Sequence, residues 1–489
     1  MPVLKLASNQ NIMKLYITLL FVFALLSLSS CEKLLDKEPT DKISIEDLFK
    51  DVAGAKTALA GAYSSLLAAD RYQLNSMVYP DLAGGNIKYS QLTNIRLDGI
   101  YNGIQAASDS QMNNTYSALY EDVNNLNNIL EYTPASEGKS TEKVKIIAEA
   151  KCLRALTHFD LLRIFARPYN YTPDASHPGV VINLKPRLLG DLSAQRATVA
   201  QSFQAIITDL EDAITTFDGT NSGVLSSGYK QNYFTVTSAK ALLAKVYLYA
   251  NNWDKAYSLA DEIIKSNQYT LITNANYVAS WTGRIPSSES IFEVPTELIF
   301  NGTSLGSYYS IEDNTYRAYA ATNDLLNLYD AADVRGSTSL FNKLAVNGIS
   351  YSYTKKYAAT GGSASPLKLL RLSELYLIRA EAAAEKSSPD FSIANSDLNT
   401  IAKRANPAAT ILNLTDKSLL VNAIMLERRK ELAFEGNLLY DLTRKKMGVA
   451  RVDCPGPNCN LLPDDYRLVM PLPFITISAN RNVVQNAGY

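Results

Sequence analysis

Residues 237–266 read TSAKALLAKVYLYANNWDKAYSLADEIIKS, and this stretch decides the fold. Apolar residues recur at helical spacing over 237–249 and again over 253–266, so the segment reads as two helices joined by a tight turn. Leu243, Ala244 and Tyr247 lie on the first helix, Ala256 and Ala260 on the second. In a frame of about 34 residues these are the small-residue and aromatic positions of a tetratricopeptide unit. The reason is contact distance. Two antiparallel helices cross closely only where Ala or Gly sits at the crossing, and an aromatic ring fills the gap beside it. A second unit runs through Ala380, Ala383, Ala394 and Leu398, with a slightly longer loop. A third begins at Ala155 and carries a long insertion before its second helix. Three such matches predict a mostly α fold of about four tetratricopeptide-like helix pairs.

Outward from this core, helical periodicity also marks Val52–Leu67, Tyr116–Leu130, Glu142–Phe165, Val199–Ile214, Leu369–Ala384, Ile393–Arg404 and Lys417–Glu435. Between them lie Tyr72–Thr115, Pro168–Ala197, Gly219–Tyr233 and Asn274–Pro366, rich in Gly, Ser, Asn, Thr and Tyr. Loops this long in a folded body are binding elements. A Tyr face stacks on the apolar side of a sugar ring while Asn and Asp bond its hydroxyls, so these loops suit a hydroxylated ligand.

The whole chain has 489 residues, with 47 Lys+Arg against 48 Asp+Glu. A near-neutral balance argues against a nucleic-acid surface, which needs a basic face. Two histidines, His158 and His177, exclude a multi-histidine metal site. No metal and no cofactor are expected. Thirty tyrosines against two tryptophans mean that any aromatic binding surface is built mainly from Tyr.

Residues 14–30, KLYITLLFVFALLSLSS, have the basic start, apolar run and small-residue end of a secretory signal peptide. Leu28-Ser29-Ser30-Cys31 resembles a bacterial lipobox, in which Cys31 is acylated and becomes the first mature residue. The expected layout is a signal peptide over 1–30, a lipidated tether over 31–50 and one domain over 51–489. Within that domain, helical repeats occupy 51–270 and 366–450, a loop-rich insertion 271–365 and a C-terminal segment 451–489. Cys454-Pro-Gly-Pro-Asn-Cys459 reads as a turn-rich loop able to close a short disulfide in an oxidising compartment. The alternative, half of a zinc site, lacks two further ligands. Cys152 reads as a small buried hydrophobe.

Several motifs, in order, resemble the SusD/RagB family of outer-membrane nutrient-binding lipoproteins. They are Ala148-Glu149-Ala150-Lys151-Cys152-Leu153-Arg154-Ala155 with Phe159-Asp160-Leu161; Thr237 to Tyr249 with Trp253-Asp254-Lys255-Ala256; and Leu370-Arg371-Leu372-Ser373-Glu374 with Ala380-Glu381-Ala382. Glu427-Arg428-Arg429-Lys430-Glu431-Leu432-Ala433-Phe434-Glu435-Gly436, then Asp441-Leu442 and Arg444, is the strongest, and Pro471-Leu472-Pro473 and Gln485-Asn486-Ala487-Gly488-Tyr489 close the series. Asn437-Leu438 and Phe165-Ala166-Arg167 depart from the family pattern.

The resemblance implies a SusD-like fold and a cell-surface binding protein without enzymatic activity. It would hand an oligosaccharide to a SusC-like, TonB-dependent outer-membrane barrel and be held to the membrane by a lipid anchor, with no nucleic-acid partner. The alternative is a peptide- or glycopeptide-binding member. Two loop regions are candidate ligand sites. One, where the resemblance places family binding loops, holds Asp81, Asn86, Tyr89 and Tyr101; the other holds Tyr308, Tyr309, Tyr316 and Tyr319. Trp281 reads either as a sugar platform or as a hydrophobic plug beneath its loop. Glu427, Glu431 and Glu435 share one helix face, and like charges at that spacing need cationic partners. Arg428, Arg371, Arg404 and Arg444 are the candidates for a buried salt-bridge network. Trp253 and His158 read as packing residues, and His177 has no evident partner.

Overall fold

Helix α1 (Val52–Ser65), α2 (Asn75–Gly84), α3 (Ser110–Tyr132), α4 (Ser140–Phe165), α5 (Val199–Thr216), α6 (Val236–Tyr249) and α7 (Trp253–Lys265) precede the insertion. A short α8 (Leu305–Tyr309) lies within it, and α9 (Leu372–Glu385), α10 (Phe391–Ala405), α11 (Lys417–Glu431) and α12 (Leu438–Arg444) follow. The computed structural model describes residues 13–16, 18, 43–90, 96–187, 193–217, 223–225, 228–283, 285–296, 305–311, 317–357, 366–452, 454 and 458–489. Cys31 and Tyr316 lie outside the described residues, as does most of the segment read as signal peptide and tether. The chain divides into two units, Met1–Leu48 and Phe49–Tyr489. In the first, residues 13–16 and Ile45–Leu48 are helical.

The pair α6–α7 forms as its sequence predicts. Thr235 caps α6 in a reciprocal capping box with Ser238, and the Asn252 side chain accepts from the Lys255 amide to start α7. Asn251 between them takes a left-handed φ of 54°, a conformation Asn tolerates. Ala244, Ala256 and Ala260 are all fully buried at the crossing. The second pair, α9–α10, buries Ala380, Ala383, Ala394 and Leu398 in one cluster with Leu420, Val421 and Ile424 of α11. In the third, α4 packs on α5. The intervening 166–198 insertion is tied at its base by Gly179 N–H to Ala197 O (2.7 Å) and Ala197 N–H to Val180 O (2.9 Å). Successive helices pack in chain order, α3 on α4, α5 on α6, and α7 directly on α9 across the whole insertion. Arg379 of α9 fastens that junction by bonding Asp261 of α7 (2.8 Å) and Asp397 of α10 (2.7 Å).

Three stretches differ from the periodicity reading. Residues expected to start α9 instead form a strand. Among β1 (Ile87–Tyr89), β2 (Ser290–Val294), β3 (Tyr319–Ala321), β4 (Phe341–Val346), β5 (Ile349–Thr354) and β6 (Leu367–Arg371), β6 pairs antiparallel with β2. A short apolar run fits helix and strand alike until a partner strand takes its backbone groups. Helix α11 stops at Glu431 rather than Glu435, because Phe434 and Gly436 turn into left-handed conformation at φ 69° and 70°. Gly436 is required there: a Cβ would meet the Ser76 carbonyl oxygen at 2.9 Å and Met77 Cα at 3.1 Å. Residues 75–84, read as loop, form the wholly buried helix α2 despite Pro80. Proline removes the hydrogen bond to the carbonyl four residues back, here that of Ser76, the group against which Gly436 packs.

Cys454 and Cys459 are joined in a disulfide, and Cys152 is buried and free. Trp253, expected in the core, is only half-buried, with the Lys445 ammonium 5.5 Å over its ring. Overpacking a crossing alanine displaces both helices. Ala244→Leu and Ala260→Leu are each expected to cost about 1–3 kcal/mol in denaturant unfolding, whereas the exposed Lys343→Ala leaves the midpoint unchanged.

Candidate functional site

The antiparallel pairing of β1 with β3, Ile87 opposite Ala321 and Tyr89 opposite Tyr319, brings the two candidate loop regions together. The Tyr89 ring stacks on Tyr319 at 5.4 Å and meets Tyr101 edge-on at 4.4 Å. Tyr308 and Tyr309, on α8, lie 6.0 and 6.1 Å from Tyr319. The Tyr89 and Tyr319 hydroxyls both donate to the Arg96 carbonyl, the latter at 3.0 Å, and Ser90 Oγ donates to the Arg317 carbonyl at 2.7 Å. Burial raises the pKa of both phenols, and their mutual proximity adds to the shift in Tyr89, so they stay protonated donors. Arg451 donates to the carbonyls of Ile100 and Tyr101 and fixes the segment that carries the Tyr101 ring. Tyr89 and Tyr101 keep 7% and 9% of their surface exposed, whereas Tyr308 and Tyr309 keep 2% and 0%. The five rings form one wall, and Tyr89 and Tyr101 are the members that keep most contact with solvent.

The other named candidates are held in the interior. Asp81 Oδ1 accepts from Asn86 Nδ2 (2.7 Å) and Oδ2 from the Gly436 amide (2.9 Å), and Asn86 Oδ1 accepts from Arg429 Nε (3.0 Å). These bonds knit α2 and β1 to the turn after α11, which leaves neither side chain a free face. Burial pushes the Asp81 carboxyl up to about 7, against the two donors that favour its ionised form. Trp281 is 1% exposed and takes the plug position. Its ring meets Tyr277 and Tyr357, with Lys356 at 4.3 Å, Lys368 at 5.2 Å and Arg371 at 5.6 Å from its centroid.

The Glu427, Glu431 and Glu435 face is an ionic core whose partners differ in part from those expected. Glu431 is gripped by Arg371 (2.5 Å), Arg335 (3.0 Å) and Arg404. Glu427 pairs with Arg335 (2.7 Å), and Glu435 with Arg371 (2.7 Å) and Lys356 (2.8 Å). Arg428 and Arg444 serve a second network, on Asp441 (3.0 and 2.8 Å) and Glu381 (2.5 Å from Arg444). Burial by itself would raise the Glu431 carboxyl, but three guanidiniums hold it well below the usual range. Sequence reading missed Arg335 and Lys356, which sit singly in the insertion without any periodic signal. His177 has partners after all, Thr172 Oγ1 at 2.8 Å and the Arg167 carbonyl at 3.3 Å. His158 is a buried packing residue, and burial, then the Arg154 charge, drive its pKa down to about 3.

The chain matches two family models, "Starch-binding associating with outer membrane" over residues 33–248 and "SusD family" over residues 299–489. A SusD-like protein of Formosa agariphila is 24% identical, covering 97% of this chain and 98% of that one. The starch-binding protein SusD of Bacteroides thetaiotaomicron is 32% identical over 127 residues, 25% of this chain and 21% of that one. Among solved structures, a SusD superfamily protein of Bacteroides thetaiotaomicron superposes with TM-score 0.79 at 26% identity over 89% of this chain and 99% of that one. A putative sugar binding protein of Bacteroides vulgatus does so with TM-score 0.77 at 27% identity over 90% and 99%. The chain belongs to the SusD/RagB family, whose members are binding proteins associated with the outer membrane. Among the described residues no helix is long and apolar enough to cross a membrane, and no group of three or more His, Cys, Asp or Glu side chains is placed to hold a metal ion.

Two measurements test the electrostatics. Glu431→Gln leaves buried guanidiniums short of a charge partner and is expected to cost about 3–5 kcal/mol in denaturant unfolding. Asp81 and Glu149, the latter also raised to about 7 by burial, hold protons in the folded state that the unfolded chain has released. Each therefore lowers stability as pH rises from its ordinary value near 4 to about 7. His158, depressed to about 3, acts in the opposite sense below its ordinary value of 6.5. Relative to Asp81→Asn, the wild-type chain should lose about 1.4 kcal/mol per pH unit across that window, read from unfolding midpoints at successive pH values.

Proposed function

We propose that this protein captures an oligosaccharide at the outer-membrane surface and passes it to a SusC-like, TonB-dependent barrel, with acylated Cys31 as its anchor. The observation that carries this reading is the meeting of two Tyr-rich segments, one early in the chain and one in the insertion, in a single aromatic wall on β1 and β3. Polar groups beside it support a hydroxylated ligand: half-buried Arg96 and exposed Asp98 carry charges close enough to act on the Tyr319 phenol. A ring face stacks on C–H edges while amides, hydroxyls and charged groups bond the sugar oxygens. The work is recognition by shape and hydrogen bonding, with no bond chemistry. Tyr89 and Tyr101 are the residues proposed to touch ligand. Asp81, Asn86, Trp281 and Tyr309 serve by holding the wall in place.

Calorimetric titration of the purified full chain with panels of oligosaccharides and peptides tests the reading. Saturable binding to one glycan class is expected, weakened about tenfold or more by Tyr101→Ala. Tyr89→Phe, which keeps the ring, should retain most of the affinity. Peptide binding alone would transfer the assignment to the peptide-binding alternative. Co-purification of a β-barrel partner with the affinity-tagged protein tests the delivery step.

A further inference from the structure

A second concavity shares no residue with the tyrosine wall. It has a volume of about 200 Å³ and opens among α5, the end of α6, the first turn of α7 and the insertion that follows α4. Tyr169 closes one side, its ring edge-on to Phe203 at 5.3 Å. Tyr247 lies on the opposite helix, and its hydroxyl sits between two charges. It donates to Glu211 Oε1 at 2.5 Å and accepts from Lys255 Nζ at 2.9 Å. Lys255 also lies 3.4 Å from Glu211 and 4.9 Å over the Tyr247 ring. The Lys255 and Glu211 side chains are 56% and 46% exposed, so the mouth is open to water.

As a surface ion pair alone, Glu211 and Lys255 would count for little. Here they flank an aromatic-walled cleft and are fixed through a phenol, so donors and acceptors are in place before a ligand arrives. Their charges cancel, which gives neither an anion nor a cation an advantage. The Tyr169 wall beside a carboxylate, an ammonium and the Asn252 amide suits a ring with one apolar face and a hydroxylated rim. The volume falls below that of sites for drug-sized ligands and admits a single ring. We infer that this cleft is a separate subsite for one neutral, pyranose-sized sugar unit, with Tyr169 as its stacking wall and Glu211 and Lys255 as its hydroxyl contacts. The ligand class rests on the carbohydrate reading above, and the location rests on the cleft's own lining.

Saturation-transfer NMR of the full chain with methyl hexopyranosides tests this, titrating to about 50 mM because a one-ring ligand binds in roughly the millimolar range. The expected result is saturable transfer from at least one hexoside, weakened about tenfold by Tyr169→Ala and by Glu211→Gln. Tyr169→Phe, which keeps the wall, should preserve it and serves as the folding control. No transfer from any hexoside, or transfer indifferent to both Tyr169→Ala and Glu211→Gln, overturns the inference. Oligosaccharide titrations of Tyr101→Ala, run in parallel, separate the two readings. Loss of Tyr169-dependent hexoside binding alone removes this subsite, and loss of Tyr101-dependent capture alone removes the tyrosine-wall site.

Discussion

The structure turns on one buried carboxylate. Glu431, fully enclosed at the end of α11, is held by Arg335, Arg371 and Arg404. Those arginines come from the insertion, from the end of β6 and from α10, so a single charge joins the helical repeats to the loop-rich body. A buried ion is costly unless its partners are all in place, and that cost makes the junction all-or-none. Lys356, Glu289 and Glu435 extend the same network, and Trp281 lies over its cations as an apolar lid. The Glu-rich motif is thus architectural: it sets where the insertion starts and returns.

Position is then relayed outward by short links. The turn after α11 places Gly436 against α2 and its amide on Asp81. Asp81 bonds Asn86, and Asn86 leads directly into β1 and Tyr89. Strand β3 returns from the insertion to pair with β1 and brings Tyr319 and α8 with it. Because every step is a buried hydrogen bond or a close backbone approach, the aromatic wall inherits the rigidity of the core. Such a wall suits recognition without chemistry, since pre-ordered rings lose little entropy on binding.

The helical half is more than a support. A cleft opens among α5, the end of α6 and the first turn of α7, and Tyr169 of the insertion after α4 lines it. Tyr247 shows how one position serves two purposes. Its ring fills the gap beside the α6–α7 crossing, as a repeat requires, while its hydroxyl faces Glu211 and Lys255 at the cleft. Sequence periodicity accounts for the ring; the second role exists only because α5 is packed alongside.

What the sequence by itself determined is the helical framework and the family. Ala244, Ala256, Ala260, Ala380, Ala383 and Ala394 announce close helix crossings, because periodicity and side-chain size are local properties. The Cys454–Cys459 pair was legible for the same reason, since the four turn-forming residues between them already bring the thiols near each other. Tertiary structure alone decided the rest. Residues 367–371 became a strand because β2 lay beside them, and residues 75–84 became a helix because their surroundings are wholly buried. Arg335 and Lys356 became core residues because Glu427, Glu431 and Glu435 needed charge nearby. Tyr residues look alike in a loop sequence, yet Tyr309 is sealed while Tyr101 keeps some contact with water. That difference depends on which distant residues lie across each ring, Tyr357 and Phe434 for Tyr309 and Arg451 for Tyr101, and contacts so remote along the chain leave no trace in local pattern.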